Sequence, residues 1–204
     1  MCIRDSFNHT PEMLSFFSEK LGVQYPWKKF SQIIVKKYVS GAMENTTAVV
    51  FGDFIEKTRR ELIDDPNDNI VAHEMFHHWF GDYVTCESWS NLTLNEGFAN
   101  YAEYLWSEYK YGRYEADRHR EEELSGYISS VSFGQPHNLI DFRYTDKENM
   151  FDAHSYNKGG LVLTMLRSSP GDEAFYAGLH HYLVSNAYKS VEVHPLRLAS
   201  ADAT

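Results

Sequence analysis

The sequence predicts an α+β chain, mostly helical, with a small β-rich start. Two observations carry this. Residues 30–52 are rich in β-branched and extended segments, "FSQIIVKKYVS" and "GAMENTTAVVFG". From residue 66 onward, apolar residues recur at helical rather than strand spacing. No repeats and no low-complexity tracts interrupt the pattern, so strands first and helices after reads as α+β.

The elements follow in order. Residues 11–21, "PEMLSFFSEKL", read as a short amphipathic helix with Pro11 early. Residues 30–40 read as a strand, and 41–52 as a further extended stretch punctuated by Gly41 and Gly52. The spacing then predicts a helix of about four turns, capped by Asp65, with Pro66 in its first position and Gly81 as its stop. Asp68 suits the positive end of its dipole. Val71, Met75 and Trp79 share one face at four-residue spacing. A second helix lies within 93–112, where Phe98, Tyr101, Ala102, Leu105 and Trp106 form a stripe for burial. Residues 114–130 make a third, more charged helix, and 131–150 read as loop. Residues 154–167 and 172–184 read as two more helices. The Gly159–Gly160 pair weakens the first of these and suggests a close backbone approach.

Bulk composition excludes several functions. Hydrophobic residues make up 43% and aromatics 15%, enough for a packed core. The net charge of −10, with no cluster of Lys and Arg, argues against a nucleic-acid partner. No apolar run is long enough to cross a bilayer. The two cysteines, Cys2 and Cys86, offer neither a disulfide framework nor zinc-ligand spacing. The opening "MCIRDS" resembles the translation of a transposon-type sequencing-library adapter. On that reading residues 1–6 are not native and Cys2 has no meaning. "RLASADAT" stops inside a helical pattern without a cap. The expectation is therefore a domain over 7–204 that is incomplete at both ends. Compartment and oligomeric state cannot be read.

The chemistry concentrates in "HEMFHHWFGDYV", residues 73–84. Residues four apart on a helix lie one above the other, so His73 and His77 can converge on one ion. His78 is rotated by about 100° from His77 and cannot join them. Glu74 can point at a water on the metal. This is the H-E-x-x-H arrangement of two zinc ligands and a general base. A catalytic zinc needs a third protein ligand. Glu96, 19 positions after His77, opens the next helix in "NEGFANY". Alone it reads as a solvated first-turn carboxylate. Set beside the preceding helix, it reads as the third ligand.

H-E-x-x-H followed by Glu within "LNEGFA" resembles the gluzincin metallopeptidases. "GAMEN", whose Asn45 lies 28 positions before His73, is the other signature of the aminopeptidase N family in that clan. "YNKGGLVLTML" resembles a third segment of the same family. The three motifs cover about residues 41–168 in the family's order. The departures are His78, where Gln is frequent, Gly159–Gly160, where Gly-Ala is frequent, and Thr93, where Trp is frequent.

The resemblance implies a thermolysin-like gluzincin catalytic domain and a zinc aminopeptidase acting on peptides with a free N-terminal amine. One Zn2+ would be held by His73, His77 and Glu96, lowering the pKa of its water. Glu74 would act as general base, and Tyr156 would stabilise the oxyanion. Glu44 would hold the substrate's α-amine, with Gly41 and Ala42 lending backbone contacts. The family also implies a β-rich domain before this one and a helical domain after it. Two alternatives are a non-catalytic pseudopeptidase scaffold and a related gluzincin epoxide hydrolase with aminopeptidase activity.

Overall fold

The computed structural model describes residues 3–134 and 136–202. Met1 and Cys2 of the adapter-like start, Gln135 of the expected loop, and the last two residues of "RLASADAT" lie outside them. The chain is α+β and mostly helical, as its sequence predicts. After a one-turn helix α1 (Ile3–Ser6), helix α2 (Thr10–Leu21) buries Met13, Phe17 and Leu21 at i, i+4 and i+8. It ends at Gly22, left-handed at φ 62°, whose N–H closes on the Glu19 carbonyl.

The β-rich start is smaller than the sequence suggests. Strand β1 is only Ser31–Val35, because Lys37 turns the chain at φ 54°. The stretch 41–52 is a hairpin rather than one extended segment. Strand β2 (Ala42–Met43) turns through Glu44–Thr47 into β3 (Ala48–Gly52), with Thr47 at φ 68°. The sheet order is β1-β3-β2, with β1 parallel to β3 and β2 antiparallel to it. Val49 and Phe51 of β3 are buried, as period-2 alternation requires. Strand β2 is therefore an edge of this sheet.

A one-turn helix α3 (Glu61–Asp64) leads to α4 (Asp68–Phe76), which is shorter than expected at both ends. Asp65 does not cap it; its carboxylate pairs with Lys57 at 2.6 Å on the surface. The N-cap is Asn67, whose amide instead donates to the Ile55 carbonyl at 2.8 Å. Asp68 opens the helix and accepts from Trp106 Nε1 at 2.8 Å and from the Tyr111 hydroxyl at 2.5 Å. Beyond Phe76 the winding tightens: His78 N–H reaches Met75 O and Trp79 N–H reaches Phe76 O, both three residues back. Asp82 N–H then takes the His77 carbonyl at 2.9 Å, which ends the helix before Gly81. Val71, Met75 and Trp79 are buried, but so is every other residue from 71 to 81. The helix is central: of its residues only Asn69 is exposed.

Strand β4 (Val84–Cys86) and helix α5 (Thr93–Lys110) follow, and α5 packs along α4. The stripe Phe98, Tyr101, Ala102, Leu105 and Trp106 is fully buried, none more than 1% exposed. Phe80 stacks on Phe98 with ring centroids 4.0 Å apart, and Tyr182 extends the stack. Burying each such ring contributes roughly 1.5–3 kcal/mol. Helix α6 (Arg113–Phe133) is the charged third helix, and it is half-exposed.

The expected loop contains a 3-10 turn at Lys147–Met150. The segment expected as a helix over 154–167 begins as a π-helical turn, His154–Lys158, and continues as α7 (Gly159–Ser168). Helix α8 (Asp172–Ser185) is as expected. Strand β5 (Lys189–Val191) pairs in parallel with β4, and α9 (Val193–Asp202) packs on α8.

Candidate metal centre and active site

Helix α4 supplies two imidazoles. His77 keeps helical angles (φ −54°, ψ −26°) although it is the C-cap, so the i, i+4 relation survives. The His73 and His77 ring centroids are 5.0 Å apart. Glu96 enters from the first turn of α5. Its Oε2 lies 3.3 Å from His73 Nε2 and 3.2 Å from His77 Nε2. Donors on a tetrahedral ion with bonds of about 2.0 Å stand about 3.3 Å apart, so these spacings match that geometry. All three residues are buried.

The outer nitrogens are already engaged. His73 Nδ1 meets Glu103 Oε1 at 2.9 Å, and His77 Nδ1 meets the Phe80 carbonyl at 3.2 Å. Each contact leaves Nε2 facing inward, which fixes ring orientation and ligand basicity. His119 on α6 backs Glu103 at 3.7 Å. Glu103 was not singled out from the sequence. The signal existed: it follows Glu96 by seven positions, two helical turns along the same face.

The electrostatics are those of a cation site. Burial alone would push His73 and His77 down, but Glu103 and Glu96 outweigh it at His73, and Glu96 outweighs it at His77, raising that imidazole to about 9. Burial would push Glu96 up, yet the attraction of His77 and His73 holds it well below the usual carboxylate range. Buried Glu74 is pushed up to about 7 by desolvation. His73 and His77 oppose that rise, while Glu44 and Glu96 add to it. Its Oε2 is buried without a hydrogen-bond partner. An orphaned carboxylate oxygen beside three converging donors is unfavourable unless a cation or a water fills the space between them.

Gly41, Ala42, Glu44, His73, Glu74, His77, Glu96 and Tyr156 all line one cavity of about 540 Å³. The structure thus brings together every residue singled out from the sequence. Glu44 sits in the β2–β3 turn. Tyr156 lies in the π-helical turn, its ring nearly parallel to that of His73 with centroids 6.0 Å apart. Burial, then Glu96 and Glu44, pushes its hydroxyl far up, so it stays a proton donor. Apolar walls come from Trp89, Leu92 and Phe151.

His78 does not face the donors. Thr47 N–H donates to its Nε2 at 3.2 Å, so the ring proton is on Nδ1, which meets the Glu74 carbonyl at 3.2 Å. Burial pushes it down to about 4 and keeps it neutral. It therefore ties the turn carrying Glu44 to helix α4, a task the sequence did not reveal.

Two glycines explain how the Tyr156 turn sits so close. A Cβ on Gly97 would lie 2.6 Å from Thr93 Oγ1 and 3.0 Å from Gly159 Cα. Helices α5 and α7 cross at backbone contact there, and Thr93 Oγ1 donates to Ser155 O at 3.0 Å across the crossing.

Helix-borne histidines at i and i+4, a glutamate from the next helix and a buried, unpartnered Glu74 Oε2 beside them are the donor set expected of a mononuclear metallohydrolase. The chain belongs to peptidase family M1, whose domain model matches residues 5–203. It is 34% identical over 189 residues to aminopeptidase M1-A of Oryza sativa subsp. japonica, covering 90% of this chain and 22% of the relative. To aminopeptidase N of Homo sapiens it is 34% identical over 202 residues, covering 91% and 20%. The chain thus spans about a fifth of the length of these relatives. Among solved structures, an M1 zinc metallopeptidase variant from Deinococcus radiodurans superposes with a TM-score of 0.76 at 27% identity, covering 96% of this chain and 41% of that one. The same variant bound to a Tyr-Ser-Ala substrate gives 0.75, also at 27% identity, covering 95% and 40%.

Proposed function

We propose that this chain carries the catalytic centre of a zinc-dependent aminopeptidase, with His73, His77 and Glu96 as the zinc ligands. The observation that carries the reading is the pair of Nε2 atoms 3.3 and 3.2 Å from one Glu96 oxygen, beside Glu74, whose Oε2 is buried without a hydrogen-bond partner. Family membership supports a peptide-bond hydrolase, and the structural neighbours are described as zinc metallopeptidases. Zinc, when bound, supplies the Lewis acidity that activates water and polarises the scissile carbonyl.

The protein's own groups do the rest. Glu74 accepts the proton of the attacking water and passes it to the departing amine. Burial raises the Glu74 carboxyl above the usual carboxylate range, which favours its taking up the water's proton. Tyr156, kept protonated, donates to the carbonyl oxygen as its charge develops. Glu44, whose charge is felt at Glu74 and His77, pairs with the substrate's ammonium group and so selects the chain terminus. Edge strand β2 leaves one side of Ala42–Met43 unpaired, suited to an extended peptide backbone.

Glu74→Gln tests the reading. The variant should keep zinc at the His73, His77, Glu96 centre and lose nearly all hydrolysis of an amino-acid anilide, because an amide cannot take the water's proton. Substantial turnover in a zinc-loaded Glu74→Gln protein would refute the assignment.

A further inference from the structure

A second cluster of metal-binding side chains lies outside the catalytic cavity, where the loop after α6 meets the turn before α7. One donor atom each from His137, Asp152 and His154 falls within 4.8 Å of the others. His137 Nε2 meets Asp152 Oδ2 at 2.6 Å, and its Nδ1 is bonded to the Asn138 carbonyl at 2.8 Å. The outer nitrogen is thus engaged with a backbone carbonyl while Nε2 faces the cluster, as at His77. Asp152 divides its oxygens. Oδ1 accepts from the N–H groups of His154 and Ser155 at 3.0 and 3.1 Å, which leaves Oδ2 to the cluster.

His154 is the independent observation. It is only 4% exposed, its ring centroid is 4.0 Å from that of His137, and its Nδ1 is buried with no hydrogen-bond partner. An ordinary buried histidine satisfies both nitrogens, and leaving one orphaned is unfavourable.

We propose that His137, Asp152 and His154 form a second divalent-cation site, one that takes zinc and joins the 136–146 loop to the turn bearing Tyr156. Two imidazoles and a carboxylate are a nitrogen–oxygen set suited to zinc rather than to calcium or magnesium. The ion would take the place of the direct contact between His137 Nε2 and Asp152 Oδ2. Their separation would open from 2.6 Å to about 3.3 Å, a shift the part-exposed His137 can make. Asp152 also accepts from Tyr156 N–H through its main-chain oxygen at 3.1 Å, so a fixed Asp152 holds that turn. The proposal is independent of the catalytic reading, since none of its ligands is a ligand there.

The test is metal stoichiometry and cobalt spectroscopy on the intact protein. Equilibrium dialysis against zinc should give two ions per chain, the second released by a mild chelator that leaves the first in place. His137→Ala and His154→Leu should each reduce the count to one. Titration with cobalt should show a second set of d–d bands in the parent that both variants lose. If His154→Leu does not fold, His137→Ala on the exposed loop decides alone. A parent that binds one zinc, or a second zinc that persists in His137→Ala, overturns the proposal.

Discussion

Replacing Gly159 with alanine should damage the site without touching a metal ligand. An added Cβ would sit 2.8 Å from Gly97 Cα and collide with Thr93 Oγ1. Carbon atoms rest at about 3.5–4.0 Å, so the α5–α7 crossing must open by roughly 1 Å. Neither obstacle can swing away easily: one is main chain, and the other is a β-branched hydroxyl committed to Ser155 O. Overpacking of this kind costs about 1–3 kcal/mol. For a chain of this size that is a fall in Tm of roughly 2–12 °C.

The functional effect should exceed the loss of stability. Tyr156 stands three residues before Gly159, on the turn that Thr93 and the crossing hold in place. A displacement of about 1 Å at a reacting group can cost about 10²-fold in rate. His73, His77 and Glu96 lie on α4 and α5, so zinc content should stay at one at the catalytic centre. The assay pairs a thermal melt with zinc analysis and with kcat on an amino-acid anilide. Gly160→Ala is the comparison, because its Cβ meets the Asn100 side chain rather than main chain, and it should be milder. A Gly159→Ala protein with parental Tm and kcat, or one milder than Gly160→Ala, would refute this account of the crossing.

Glu103→Gln should weaken zinc binding by about 10–100-fold, measured by competition with a chelator, because it removes the carboxylate that orients His73. Tyr156→Phe should leave zinc and KM near parental and lower kcat by roughly 10²–10³-fold; an unchanged kcat would remove Tyr156 from the mechanism. Glu44→Gln should raise KM for peptides with a free amine while N-acetylated peptides stay poor, and equal cleavage of free and blocked peptides by the parent would exclude exopeptidase selection by Glu44. His78→Ala should break the tie to Thr47 N–H and mimic Glu44→Gln in KM more than in kcat, with zinc retained.

What the sequence disclosed follows from the range of each interaction. The α5 stripe was legible because a helix repeats within itself, so Phe98 to Trp106 report one buried face regardless of what covers it. The same locality makes His73 and His77 readable as a pair. Asp65 misled because a capping residue is identified by type, whereas its side chain chose Lys57 and the helix began three residues later. The end of α4 escaped for a similar reason: the His77 carbonyl is claimed by Asp82 N–H, a turn contact with no compositional mark. Strands β4 and β5, three residues each, are too short to show a period, and their pairing spans over a hundred positions. The Gly159–Gly160 pair announced a close approach but not its partner, because Gly97 lies on another helix. Glu103 could have been found by carrying the face of Glu96 forward two turns. His78 could not, since its part depends on where the hairpin from Ala42 to Gly52 comes to rest. Residues that act along one helix are thus readable in advance, and those that join elements become visible only when the elements meet.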